Sequence, residues 1–149
     1  MSNFLRLVPV ILVVIVSGGY VFSQNESEVL PLMTVYKTPT CGCCKKWVEH
    51  IEANGFKVHI VENTNLSSLK NEKNIPPDLR SCHTATVGKY TIEGHVPAQD
   101  IVKLLKEKSD IQGLAVGGMP VGSPGMEYQG RKDPYDVVAF KKDGKKEVY

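Results

Sequence analysis

Apolar and polar positions recur with readable periods through most of the chain after residue 32. Met33-Thr-Val-Tyr-Lys37 combines β-branched and aromatic residues and predicts a strand, which Pro39-Thr40 breaks. Cys44, Trp47, Val48 and Ile51 then fall at i, i+3, i+4 and i+7 and predict a helix with one buried face. Thr40 suits its N-cap and Gly55 its C-terminal stop. Phe56–Val61 alternates as a second strand, and 65–74 predicts a short helix closed by Pro76-Pro77. Thr84–Glu93 predicts two strands joined by a tight turn at Gly88-Lys89. Pro97 opens a third helix with Ala98, Ile101, Val102 and Leu105 as its buried stripe. Gly113–Gly130 reads as a Gly/Pro-rich loop. Val137–Phe140 and Glu147–Tyr149 read as short closing strands around a solvated Asp143-Gly144 turn.

The order β-α-β-α-β-β-α, with further strands or loop after it, predicts an α/β domain. It is a small mixed β-sheet flanked by helices, and the C-x-x-C of Cys41 and Cys44 at the junction of strand one and helix one gives it the thioredoxin-like arrangement. The first residues differ from the rest. Arg6 precedes an apolar run from Leu7 to Val16, and Val21 and Ser23 suit cleavage before Gln24. That is the layout of a secretory signal peptide. An uncleaved anchor is the competing reading, but Pro9, Ser17, Gly18 and Gly19 shorten the run below the ~20 apolar residues of a membrane span. The chain thus divides into a signal peptide or N-terminal anchor at 1–23, a linker at 24–32 and one domain at 33–149. The domain lies outside the cytoplasm, touching a membrane only if the leader is retained.

Removing Arg6 with the leader leaves 17 of 18 basic residues against 16 acidic ones, with no basic stripe apart from a Lys-rich tail. This excludes nucleic acid as the expected partner.

Three of the four cysteines fall in Cys41-Gly-Cys-Cys44. Two independent structural disulfides fit this spacing poorly, although a single Cys41–Cys44 staple is feasible. At a helix N-terminus thiol pKa values fall from about 8.5 into the range ~3.5–7.5, so the cluster is expected to be rich in thiolate. Two sulfurs suffice for dithiol exchange, and a third offers a wrong partner; for a soft metal the third is an extra ligand. Structural zinc sites use two separated Cys or Cys/His pairs, and iron–sulfur sites use other spacings. Cu(I), with thiolates bridging several ions, remains the best chemical fit.

Cys82, just before the predicted hairpin, is expected beside the start of the first helix, completing a site of Cys41, Cys43, Cys44 and Cys82. The alternative is a buried structural cysteine. His83 and His95 flank the hairpin as candidate ligands or proton carriers, or as ordinary satisfied histidines. His50 and His59 read as ordinary helix and strand positions. Met119 and Met126 either cover the site with thioethers or fill gaps under the loop. Glu127 carries no readable role.

Thr38-Pro-Thr-Cys-Gly-Cys-Cys44 with Trp47, Ser81-Cys-His-Thr-Ala85, Glu93-Gly-His-Val-Pro97 and Gly118–Met126 together resemble the CopG-type copper-resistance proteins, a periplasmic metal-binding family. The similarity runs from about Met33 to Tyr149. It implies a thioredoxin-like fold, export to the periplasm of Gram-negative bacteria, and copper held by Cys41, Cys43, Cys44 and Cys82. The implied partners are copper ions and other periplasmic copper-handling proteins. The expected function is copper binding for copper resistance, with copper redox activity as an extension. The rival is a thiol–disulfide oxidoreductase with Cys41 as nucleophile and Cys44 as resolving thiol. A module that docks another exported protein through 113–130 is the third possibility.

Overall fold

The computed structural model describes residues 29–149. The leader and most of the linker fall outside this range. The elements are β1 (Met33–Lys37), α1 (Gly42–Ala53), β2 (Val58–Glu62), α2 (Ser67–Glu72), β3 (Thr84–Val87), β4 (Tyr90–Gly94), α3 (Ala98–Glu107), β5 (Gly113–Val116), β6 (Val138–Phe140) and β7 (Lys146–Val148). They form one open seven-stranded sheet in the order β2-β1-β3-β4-β5-β6-β7. β1 runs parallel to β2 and antiparallel to β3; β4 runs antiparallel to β3 and parallel to β5. The first seven elements follow the expected thioredoxin-like order, and β5–β7 extend the sheet beyond it.

Successive strand residues point to opposite faces, and the core divides accordingly. Met33, Val35, Ala85, Val87, Ile92, Leu114 and Val116 join the buried sides of α1 and α3 in one apolar cluster. Ala115 and Phe140, the alternate positions, pack with Ile75 and Leu79 in a second. On that second side α2 lays Lys70 against Thr84 and Glu93, which face each other across the β3–β4 ladder.

α1 buries Cys44, Trp47, Val48 and Ile51, the stripe that the spacing predicts. Its N-cap is Cys41 and not Thr40: the Cys41 sulfur accepts the Cys44 N–H at 3.3 Å. Thr40 sits one residue too early to reach the first turn's free N–H groups. β5 replaces the start of the predicted loop. Gly113-Leu-Ala-Val116 is buried on both faces and so lacks alternation. Gly113 is required there, since a Cβ would lie 1.7 Å from the Thr91 carbonyl oxygen.

His50 is more than a helix-surface residue. Its Nε2 accepts the Ala98 N–H at 3.1 Å, capping the start of α3 from a second helix. Burial lowers its pKa, against an upward pull from Glu127. The unfolded chain therefore takes up this proton first as pH falls. The stabilisation is complete above the unfolded value of about 6.5 and is lost as pH drops through the lower folded value. Denaturation midpoints at about pH 7 and about pH 5 should show a smaller loss for His50→Gln, which keeps an acceptor that cannot titrate. Equal losses in the two proteins would remove His50 from the account.

Candidate metal centre

The turn after β1 delivers Cys41 to the helix start, and the first turn of α1 carries Cys43 and Cys44. Cys82 arrives from the opposite direction, on the segment leading into β3. Because β3 is antiparallel to β1, the end of β1 and the start of β3 lie at the same end of the sheet, with Tyr36 opposite Thr84. That register brings the four sulfurs together, all within 4.8 Å of one another. Cys43 Sγ lies 3.5 Å from Cys41 Sγ and 3.8 Å from Cys82 Sγ; Cys44 Sγ lies 3.4 Å from Cys82 Sγ.

Cys41 and Cys44 are joined as a disulfide, while Cys43 and Cys82 are free thiols. The three-thiolate cluster expected at the helix start is thus present in its oxidised form, with two sulfurs paired. Their Cα atoms are 5.3 Å apart, a separation that the bond accommodates. Burial pushes the Cys82 thiol up to about 12, with the neighbouring Cys43 adding to the effect. A metal arriving there must therefore displace a proton.

His83 and His95 both lie at the site, fully buried. His95 Nδ1 is 2.8 Å from the Pro124 carbonyl oxygen, so it carries the hydrogen and donates it. The Nε2 lone pair then points at Cys82 Sγ, 3.1 Å away. His83 Nδ1 is 3.4 Å from the same sulfur, and its Nε2 has no hydrogen-bond partner. Its ring lies against Trp47, 4.3 Å between centroids. Burial lowers both imidazole pKa values, His83 well below the usual range with His95 and Lys70 adding to the fall. The shift favours the neutral form of both rings, in which each presents a lone pair. Cys82, His83 and His95 thus form a second donor group sharing one sulfur with the first.

The loop after β5 closes the other side. A Cβ at Gly125 would lie 2.7 Å from Trp47 N and 2.8 Å from the Cys43 carbonyl oxygen, and its φ is +83°, so only glycine lets the loop rest on α1. Glu127 accepts the Gly125 N–H at 2.9 Å and holds this approach, a role the sequence did not show. Met126 joins Cys43, Lys46 and Glu127 around an open groove of about 450 Å³, whereas Met119 is 53% exposed. His59 is a solvent-facing residue of edge strand β2.

Behind Cys82 lies a buried ionic group that local pattern could not reveal. The Glu93 carboxylate pairs with Lys70, accepts the Ser81 N–H at 2.7 Å and accepts the Thr84 hydroxyl at 2.6 Å. Burial pushes this carboxyl up, while Lys70 and the donors hold it down. Ser81, immediately before Cys82, also donates its hydroxyl to the Gly118 carbonyl. The only sequence signal is an acid within an otherwise apolar and small stretch, Ile92-Glu-Gly94.

Comparison with known proteins bears on both halves of the site. A family model described as "Protein of unknown function, DUF411" matches residues 79–126, covering Cys82, His83, His95 and the Gly125 loop but not Cys41–Cys44. No curated protein matches. Two solved structures, "Copper resistance protein copG- Form 2" and "Copper resistance protein copG- Form 1", are each 45% identical with a TM-score of 0.76. Each alignment covers 80% of this chain, and 95% and 94% of the respective structures. An identity of that size over nearly the whole of those structures, on the same fold, places this chain in the CopG copper-resistance protein family.

Proposed function

We propose that this is an exported copper-binding protein of copper resistance, which in its reduced state holds Cu(I), more than one ion per chain, on Cys41, Cys43, Cys44 and Cys82. The observation that carries this is the convergence of four sulfurs from two chain segments within 4.8 Å. Clustered thiolates select soft cuprous ions, and sulfurs this close can bridge two metals. The names of the similar structures support copper as the cargo. The leader-like first 23 residues support export, and the family resemblance supports the periplasm.

The test is anaerobic titration of the fully reduced protein with Cu(I) against a competing cuprous chelator. More than one tightly held equivalent is expected. Less than one equivalent at micromolar affinity or weaker overturns the reading.

The disulfide at the start of α1 specifically favours a second reading, thiol–disulfide exchange with Cys41 as attacking sulfur. Strong insulin reduction by metal-free protein would promote it.

A further inference from the structure

Ser123-Pro-Gly-Met126 is a β-turn at the rim of the metal centre, closed by the Met126 N–H on the Ser123 carbonyl at 2.8 Å. Pro124 in its second place and Gly125 in its third, with φ at +83°, make it type II. The peptide group between them is planar, so its carbonyl and its N–H point opposite ways. Each has a partner: the carbonyl oxygen accepts the His95 Nδ1–H at 2.8 Å, and the N–H donates to a Glu127 carboxylate oxygen at 2.9 Å. Ser123 anchors the turn from behind, fully buried, its hydroxyl donating to the Pro120 carbonyl at 2.7 Å. Glycine in the third place also tolerates type I, which differs by a rotation of this one peptide through roughly 180°. After that rotation an N–H would face His95 Nδ1, which would have to be the bare nitrogen, leaving Nε2 protonated toward Cys82.

We infer that Glu127 is a positioning residue for the metal centre: its carboxylate locks the Pro124–Gly125 peptide and so fixes which nitrogen of His95 is offered beside Cys82. A carboxylate holds an N–H more strongly than a neutral acceptor does. The same bond polarises the peptide and strengthens the grip of its carbonyl on the imidazole. With the hydrogen on Nδ1, the Nε2 lone pair stands 3.1 Å from Cys82 Sγ, free for a metal. Glu127 thus acts on the donor atom through one backbone group, without being a ligand itself. The use of that nitrogen rests on the copper reading above; the lock is a property of the metal-free fold.

Long-range proton–nitrogen correlation spectra of metal-free protein with isotope-labelled imidazoles, at about pH 8 and so above the usual imidazole pKa, read the tautomer of each histidine. A single Nδ1–H form is expected for His95. Glu127→Leu should draw its two ring-nitrogen shifts toward each other, the mark of a mixed population. The same variant, reduced, should bind Cu(I) roughly tenfold more weakly, as loss of an outer hydrogen bond commonly causes. Glu127→Gln keeps an oxygen for the Gly125 N–H and should restore the single form and most of the affinity. A merely structural role would lower the melting temperature of Glu127→Leu without moving the shifts. An unmoved tautomer in Glu127→Leu, an equal loss in Glu127→Gln, or a mixed tautomer with unchanged Cu(I) affinity overturns the inference. If the unmutated protein binds no Cu(I), the copper reading is lost, and the spectra still decide the lock.

Discussion

Replacing Cys82 with serine is expected to lower the affinity of the reduced protein for Cu(I) by at least about 100-fold, while the metal-free fold persists. Cys82 is the one sulfur that reaches the cluster from outside the α1 segment, 38 residues beyond Cys44. Without it the remaining three lie on one short turn, and a bound ion would no longer tie that turn to the hairpin. Serine is close in size but offers a hard, protonated oxygen in place of a polarisable sulfur. A hundredfold loss corresponds to about 2.7 kcal/mol. Since a ligand bound only to the folded state stabilises it by mass action, the copper-induced rise in melting temperature should shrink accordingly. Competition titration and calorimetry at matched free Cu(I) measure both. Unchanged affinity and stoichiometry would show that Cys82 is a spectator.

The second large effect lies behind that sulfur. Lys70→Met should destabilise the protein by about 3–5 kcal/mol, because it leaves the Glu93 carboxylate buried without its cation. Joining it with Glu93→Leu should recover most of the loss, as apolar replacement of both partners of a buried pair commonly does. Copper affinity of the double variant should nevertheless fall below that of the unmutated protein. The double variant still lacks the carboxylate that accepts the Ser81 N–H and so fixes the approach of Cys82. Denaturant unfolding of the two variants, with Cu(I) competition on the double, separates the two roles. A double variant that regains both stability and affinity would reduce the pair to packing.

How much of this was legible beforehand depended on the range of the interactions. The α1 stripe and the Gly88-Lys89 turn follow from residues a few places apart, and both lie where the pattern puts them. The meeting of Cys82 with the CGCC cluster follows from topology, since a β1–β3 antiparallel pair returns the chain to the same end of the sheet. Periodicity does not reveal β5, because a strand buried on both sides has no alternation and its glycine reads as a loop signal. The ionic group at Glu93 and the cap supplied by His50 join residues 23 and 48 positions apart. No period links such partners, so neither could be seen before the fold was known. The choice of Cys41 over Thr40 as cap turned on a single residue of register, which propensity does not resolve.

The sheet's outer rim bears on a hazard specific to a thiol-rich protein. β7 is an edge strand of only three residues, all solvent-facing, and Lys141, Lys142, Lys145 and Lys146 crowd its turn. Short, cationic borders of this kind repel a second copy that would otherwise add its own strand. At this border, a second copy that cannot add its strand also cannot bring its Cys43 and Cys82 sulfhydryls alongside by that route.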